Sequence, residues 1–133
     1  VMAYLEAEND YTQAVMQHTE SLQTQLYEEL LSRIQEDDQS VPYRRGEFYY
    51  YTRTETRKAY PIHCRKHQTL DAPEEVLLDQ NQLAEGTEYF SLGVFEVSPN
   101  HQLLAYSTDT TGAERYTLFF LDLATRQRYP ESI

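Results

Sequence analysis

The sequence predicts an α+β chain, with helices first and short antiparallel strands after them. Three observations carry this. From Asp10 to Gln35 there is no Pro or Gly, and Val15, Leu22, Leu26 and Leu30 recur at helical spacing, flanked by Met16, Tyr27, Leu31 and Ile34. From Ser40 onward the helical pattern gives way to short β-prone runs separated by turn residues. Two of those runs, Phe48 to Thr52 and Tyr116 to Leu121, carry apolar or aromatic residues at consecutive positions, and so on both faces, rather than at alternate ones. A strand with two apolar faces needs cover on both sides, unlike the strand of a sheet with one wet face.

Taken in order, Tyr4 to Ala7 reads as a short helical segment, and Asn9 or Asp10 as a cap for the helix that follows, with Gln13 in capping-box position. His18-Thr19-Glu20 is polar all round and predicts a break, with Thr19 as the new cap. The apolar band is broader after the break, which predicts that the C-terminal end of the helices is the buried one. Glu36-Asp37-Asp38 would sit poorly against the negative end of a helix dipole. Strands are expected near 47–52, 60–65, 75–79, 94–97, 102–107, 116–122 and 127–129, with turns at Pro99-Asn100, Thr111-Gly112 and Thr125-Arg126. The expected organisation is a helical segment at 1–39 and a strand region at 40–133.

Composition narrows the function classes. A chain of 133 residues suffices for one domain with a core. Aromatic residues make up 13%, which is not a disordered composition. No apolar run approaches membrane length. A formal net charge of −11 argues against nonspecific nucleic-acid binding, which needs cationic surface. The charge is segregated: residues 1–39 hold nine acids and one base, residues 40–70 two acids and seven bases, and residues 71–133 eleven acids and three bases. Either these are solvated surfaces, or the acidic helices pack near the basic hairpin or another basic surface. Cys64 is the single cysteine and fits a reducing compartment, which points to the cytoplasm.

Candidate chemistry is sparse. A nucleophile elbow needs Gly-x-Ser-x-Gly, because only small residues let the chain turn that sharply. Ser91 has Gly93 after it but Tyr89 before it, so it reads as an ordinary hydroxyl. His63, Cys64 and His67 invite a metal, but adjacent strand residues point to opposite faces and no second pair completes a tetrahedral set. Arg65 and Lys66 could lower the Cys64 thiol pKa, although burial as a small apolar side chain is the simpler reading. Asp109 and Glu114 flank a Gly turn and could hold a cation. The tyrosines of the first long strand could form a peptide-binding face or pack between sheets.

The stretch from Ser40 to Arg65, with its run Phe48-Tyr49-Tyr50-Tyr51-Thr52 and the second run Tyr60-Pro61-Ile62, resembles the first propeller strands of the oligopeptidase B group of the prolyl oligopeptidase family. Other segments are similar to the same group, in the same order. They are Tyr4 to Tyr11, Leu22-Gln23, Leu26 to Glu29, Arg33-Ile34, Ala72 to Asp79, Asn81, Leu83 to Gly86, Val97-Ser98-Pro99, Leu104 to Asp109 and Gly112. Arg57, His101 and Arg126 depart from it, standing in turns that commonly carry Gly.

The resemblance implies N-terminal helices followed by antiparallel strands of a partial β-propeller. It further implies that this is a fragment of a serine peptidase whose catalytic Ser, Asp and His lie in an α/β-hydrolase domain outside these residues. The full-length form would hydrolyse short peptides after Arg or Lys, and the propeller would exclude large substrates. No catalytic, cofactor-binding or metal-binding residue is then expected within 1–133, and no cofactor. Pro42, Arg44 and Arg45 would link helix to sheet without forming a binding site. The expected partners are the rest of the polypeptide and short peptides, with no nucleic acid and no membrane, and the isolated chain would self-associate. A stand-alone protein-interaction module built from propeller-type strands is the alternative from a different class.

Overall fold

The computed structural model describes residues 1–133. It forms two compact units, Val1–Gln35 and Glu36–Ile133.

The first unit is helical. Helix α1 spans Met2–Met16 and α2 spans Glu20–Ser32, joined by one 3₁₀ turn at Gln17–Thr19. The break therefore falls where the polar triplet predicts it. Its chemistry differs from the expected cap. The Thr19 hydroxyl donates backward to the Met16 carbonyl at 2.6 Å and accepts from Gln23 Nε2 at 2.7 Å, so it serves no N–H of the next helix. Asn9 and Asp10 lie inside α1 and cap nothing, and Tyr4 to Ala7 belongs to the same helix. With no Pro or Gly to interrupt it, the helix runs through these polar residues without an internal start signal. Neither helix contains a buried residue, and Leu22, Leu26, Leu30 and Ile34 are all exposed. The expectation of a buried C-terminal end therefore does not hold within this unit. An exposed apolar stripe on a helix marks a surface that other elements cover. Helix α2 ends at Ser32, ahead of the three acids.

The second unit is two four-stranded antiparallel sheets, each a meander in chain order. The first contains β1 (Tyr43–Arg45), β2 (Phe48–Arg53), β3 (Ile62–His67) and β4 (Glu74–Asp79). The second contains β5 (Ser91–Val97), β6 (Leu103–Asp109), β7 (Thr117–Asp122) and β8 (Arg128–Ser132). A one-turn helix, α3 (Gln80–Ala84), joins them, its first turn capped by the Asp79 carboxylate accepting from Asn81 N–H at 2.9 Å. Strand β1 lies in the stretch expected to be a linking loop. Before it, Gln39 bridges to Arg53 and Ser40 N–H donates to the Thr52 carbonyl at 2.8 Å, so only Val41 and Pro42 loop out from the edge of β2. The acids that follow α2 find donors here: Asp37 accepts from the Thr56 N–H at 2.6 Å and the Thr56 hydroxyl at 2.8 Å.

One core lies between the sheets. Tyr50, Leu77 and Leu78 from the first meet Val97, Leu104, Tyr106 and Leu123 from the second. A second cluster, Tyr51, Ile62 and Cys64 with Val76, covers the opposite face of the first sheet. Consecutive Tyr50 and Tyr51 are thus both buried, on opposite faces, as a two-sided strand requires. Leu77 and Leu78 share one core because of a bulge. His63 pairs with Leu78 and Cys64 with Val76, leaving Leu77 extra. In β5 a second bulge sets Gly93 and Val94 against Ser107. A Cβ on Gly93 would stand 2.7 Å from both Ser107 Oγ and Tyr116 Cδ1. The glycine is there for close approach of the next strand.

Arg57, His101 and Arg126 adopt φ of 64°, 60° and 61°. These turns keep the left-handed backbone that usually calls for Gly, at about 1 kcal/mol each. Gln68 and Glu114 do the same.

Candidate functional site

The residues that sequence patterns bring forward as chemical candidates are dispersed. His63 faces the second sheet, its ring stacked on Phe95 at 4.0 Å and its Nε2 at 3.0 Å from Gln80 Nε2. Burial depresses its pKa. Cys64 points to the opposite face and is 1% exposed. Burial pushes its thiol up to about 12, with Glu74 adding to the shift and Arg53 opposing it. The lowering expected from Arg65 and Lys66 is absent, because the adjacent Arg65 faces the other side and is paired with Glu75. His67 ends β3 in solvent, 3.6 Å from Glu47. No group of three metal-ligating side chains converges.

Ser91 opens strand β5, its hydroxyl 3.2 Å from Tyr116 Oη, and does not lie on a strand-to-helix turn. Asp109 is occupied by its own loop. One oxygen accepts from the N–H of Thr111 at 2.8 Å, the Thr111 hydroxyl at 2.7 Å and the N–H of Gly112 at 3.2 Å. The other accepts from the N–H of Glu114 at 2.9 Å. The Thr111 backbone bond leads in holding this carboxyl below its usual range. With these oxygens turned to the N–H and hydroxyl donors of its own loop, Asp109 closes the turn. Asp122 repeats the device at the next turn, accepting from the N–H groups of Ala124 and Thr125.

The side chains that do converge lie in the joint between the sheets. Arg65, 6% exposed, sends Nε and Nη2 to the two oxygens of Glu75 at 2.7 and 2.9 Å. Its Nη1 donates to the His101 carbonyl at 2.8 Å, and its guanidinium lies 4.2 Å from the Phe48 ring. Burial opposes its charge, but the Glu75 bonds prevail and its pKa is raised. His101 Nδ1 is 2.7 Å from the Tyr50 hydroxyl. Arg45 pairs with Glu96 at 2.9 Å, and from the β7–β8 turn Arg126 donates to the Leu77 carbonyl of the first sheet at 3.2 Å.

A second polar group covers the far face of the first sheet. The Tyr51 hydroxyl donates to Glu74 at 2.5 Å, and Arg53 Nε donates to the same carboxylate at 3.0 Å while its Nη1 meets Glu55. Burial, then the Glu74 bond, raises the Tyr51 pKa. The basic stretch 40–70 is thus answered in part by acids at 74, 75 and 96. Sequence spacing does not reveal these partners, because they lie 10 to 51 residues apart and meet only through strand pairing and sheet stacking.

This pattern of ion pairs and hydrogen bonds can hold the two sheets together. The comparisons with known proteins agree with the architecture. The chain is 41% identical to dipeptidyl aminopeptidase BI of Pseudoxanthomonas mexicana, covering all of the chain and 20% of that protein. It is 38% identical to protease 2 of Moraxella lacunata, covering 94% of the chain and 19% of that protein. Oligopeptidase B from Leishmania major superposes over 100% of the chain and 19% of its own, with TM-score 0.88 and 36% identity. Oligopeptidase B from Trypanosoma brucei, in a closed form with covalently bound antipain, covers 90% of the chain and 18% of its own, with TM-score 0.82 and 37% identity. The chain spans about a fifth of the length of the relatives it matches. No helix is long and apolar enough to cross a membrane. The family model for the prolyl oligopeptidase N-terminal beta-propeller domain matches residues 1–133, and the chain belongs to that family.

Proposed function

We propose that these residues are the helical lead-in and first two blades of the propeller of a serine oligopeptidase. The chemistry would reside in a hydrolase domain of the same polypeptide. The observation that supports this best is that the sheets are stacked and the first is covered on both faces. Each buries one face against the other, and the first also buries Tyr51, Ile62 and Cys64 on its far face. Blades stacked around a channel have this property. In that setting residues 1–39 would pack on the hydrolase domain, and residues 40–133 would form part of a filter that admits short peptides. A serine would be acylated, with a histidine as base and an aspartate orienting it. Cleavage after Arg or Lys and a cytoplasmic location belong to the same proposal.

The relative named a dipeptidyl aminopeptidase favours a second reading of specificity, removal of dipeptides from a free N-terminus. A substrate panel on the intact protein separates the two. Blocked peptide amides ending in Arg, Lys or Pro are compared with free dipeptidyl amides, each with and without antipain. Preferential, antipain-sensitive cleavage after Arg or Lys in blocked peptides supports the first reading. Cleavage that requires a free amino group supports the second. Absence of cleavage across the panel refutes the peptidase proposal.

A further inference from the structure

We propose that His101 is an inter-sheet key, held in a left-handed turn because its imidazole fills a socket on the preceding blade. Five non-glycine residues carry positive φ, and Arg57, Gln68, Glu114 and Arg126 among them are exposed. Glycine adopts φ near +60° without steric penalty, and contacts made by the imidazole offset the cost of a histidine there. His101 makes four contacts. Its Nδ1 is 2.7 Å from the Tyr50 hydroxyl. Its ring lies 5.0 Å from Phe48 and 6.0 Å from Tyr50, centroid to centroid. Its carbonyl accepts from Arg65 at 2.8 Å. Its Nε2 edge occupies the space above Gly46, where a Cβ would stand only 2.7 Å away.

Gly46 itself has φ of 62°, so the β1–β2 turn and the β5–β6 turn meet, each with one left-handed residue. The rest of the joint is mostly apolar, and apolar burial is non-directional. The directional bonds of His101 therefore set the register of one blade on the next. This role does not depend on which peptide bond the protein cleaves.

Matched glycine substitutions in the intact protein test the proposal. Arg57→Gly relieves a left-handed residue with no inter-sheet contact, and His101→Gly relieves one that has the socket. The readouts are thermal midpoint and hydrogen exchange of residues 46–50 and 63–67. Arg57→Gly is expected to hold or raise the midpoint. His101→Gly is expected to lower it and to speed exchange at 46–50 by about tenfold. If His101→Gly behaves like Arg57→Gly, the key is refuted. If His101→Gly does not fold, His101→Asn and Tyr50→Phe decide. Asparagine tolerates the left-handed turn but is too short for the socket, so it should also speed exchange at 46–50. Tyr50→Phe should speed exchange beside His101 and add little beside His101→Asn. Equal effects of Tyr50→Phe in both backgrounds, or slow exchange in His101→Asn, overturn the proposal.

Discussion

Removing the Glu75 carboxylate tests the joint between the sheets most sharply. In Glu75→Ala the Arg65 side chain, almost wholly buried, loses both bonds of its bidentate pair and keeps the His101 carbonyl, the Phe48 ring and its interaction with the Tyr50 hydroxyl. Breaking a fully buried pair in this way costs about 3–5 kcal/mol. The Glu75 side chain retains 39% exposure, so water can reach the abandoned cation, and about 2 kcal/mol is the appropriate expectation. That is about a thirtyfold increase in the local opening constant. Arg65→Met removes the charge and keeps much of the apolar stem. The double variant then has no unpaired buried ion, and its cost should fall short of the summed single costs by about 1–2 kcal/mol. Hydrogen exchange of β3 and β4 in the intact protein measures all three. Strictly additive effects, or a Glu75→Ala change below about 1 kcal/mol, would refute the reasoning, since exposed pairs are typically worth no more than that.

Other consequences are accessible to simple measurements. Cys64 should resist alkylation in the native protein at pH 8 and react on unfolding. Its folded pKa of about 12 stands above the ordinary 9.0, so the folded state holds the proton longer and stability should fall as pH rises from 9 toward 12. Cys64→Ala should flatten that alkaline slope; an unchanged slope would locate its cause elsewhere. Asp109 and Asp122, with pKa values held low mainly by the backbone bonds of Thr111 and Thr125, contribute stability above the ordinary carboxylate pKa that is lost as pH falls through their folded values. Asp109→Ala should speed exchange of the Thr111, Gly112 and Glu114 amides, and protection equal to the native protein would contradict the turn-closing role. The isolated chain should associate at tens of micromolar, because the α1–α2 stripe and residues such as Val94 and Tyr116 expose apolar surface. A cooperatively melting monomer by light scattering would count against this and favour a stand-alone module.

Much of this arrangement is legible in the residues themselves. The two-sided runs around Tyr50 and Phe119 announce stacked sheets, because no sheet with a wet face tolerates them. Thr19 marks the helix break. Arg57, His101 and Arg126 mark left-handed turns through the resemblance that makes Gly the expected residue. The parts that stay hidden have physical reasons. Strand β1 is three residues long and holds Arg44 and Arg45, so its pairing comes from Tyr49 and Tyr50 and not from its own propensity. Helix α3 is too short for any periodicity and exists through the Asp79 cap. The Leu77 bulge moves a side chain to the face that alternation would deny it. The Arg65–Glu75 and Tyr50–His101 contacts depend on register and sheet stacking, which local pattern does not encode. The exposure of Leu22 to Ile34 could not be read from an apolar stripe, which reports what a helix can bury and not what lies beside it.

One measurement bears most directly on the division between scaffold and chemistry. The intact protein is labelled with a fluorophosphonate, digested and mapped by mass spectrometry, with antipain as competitor. The expected result is stoichiometric, antipain-sensitive labelling of one serine outside residues 1–133, and none on residues 1–133 expressed alone. Labelling of Ser91, or of any other serine within 1–133, would contradict it.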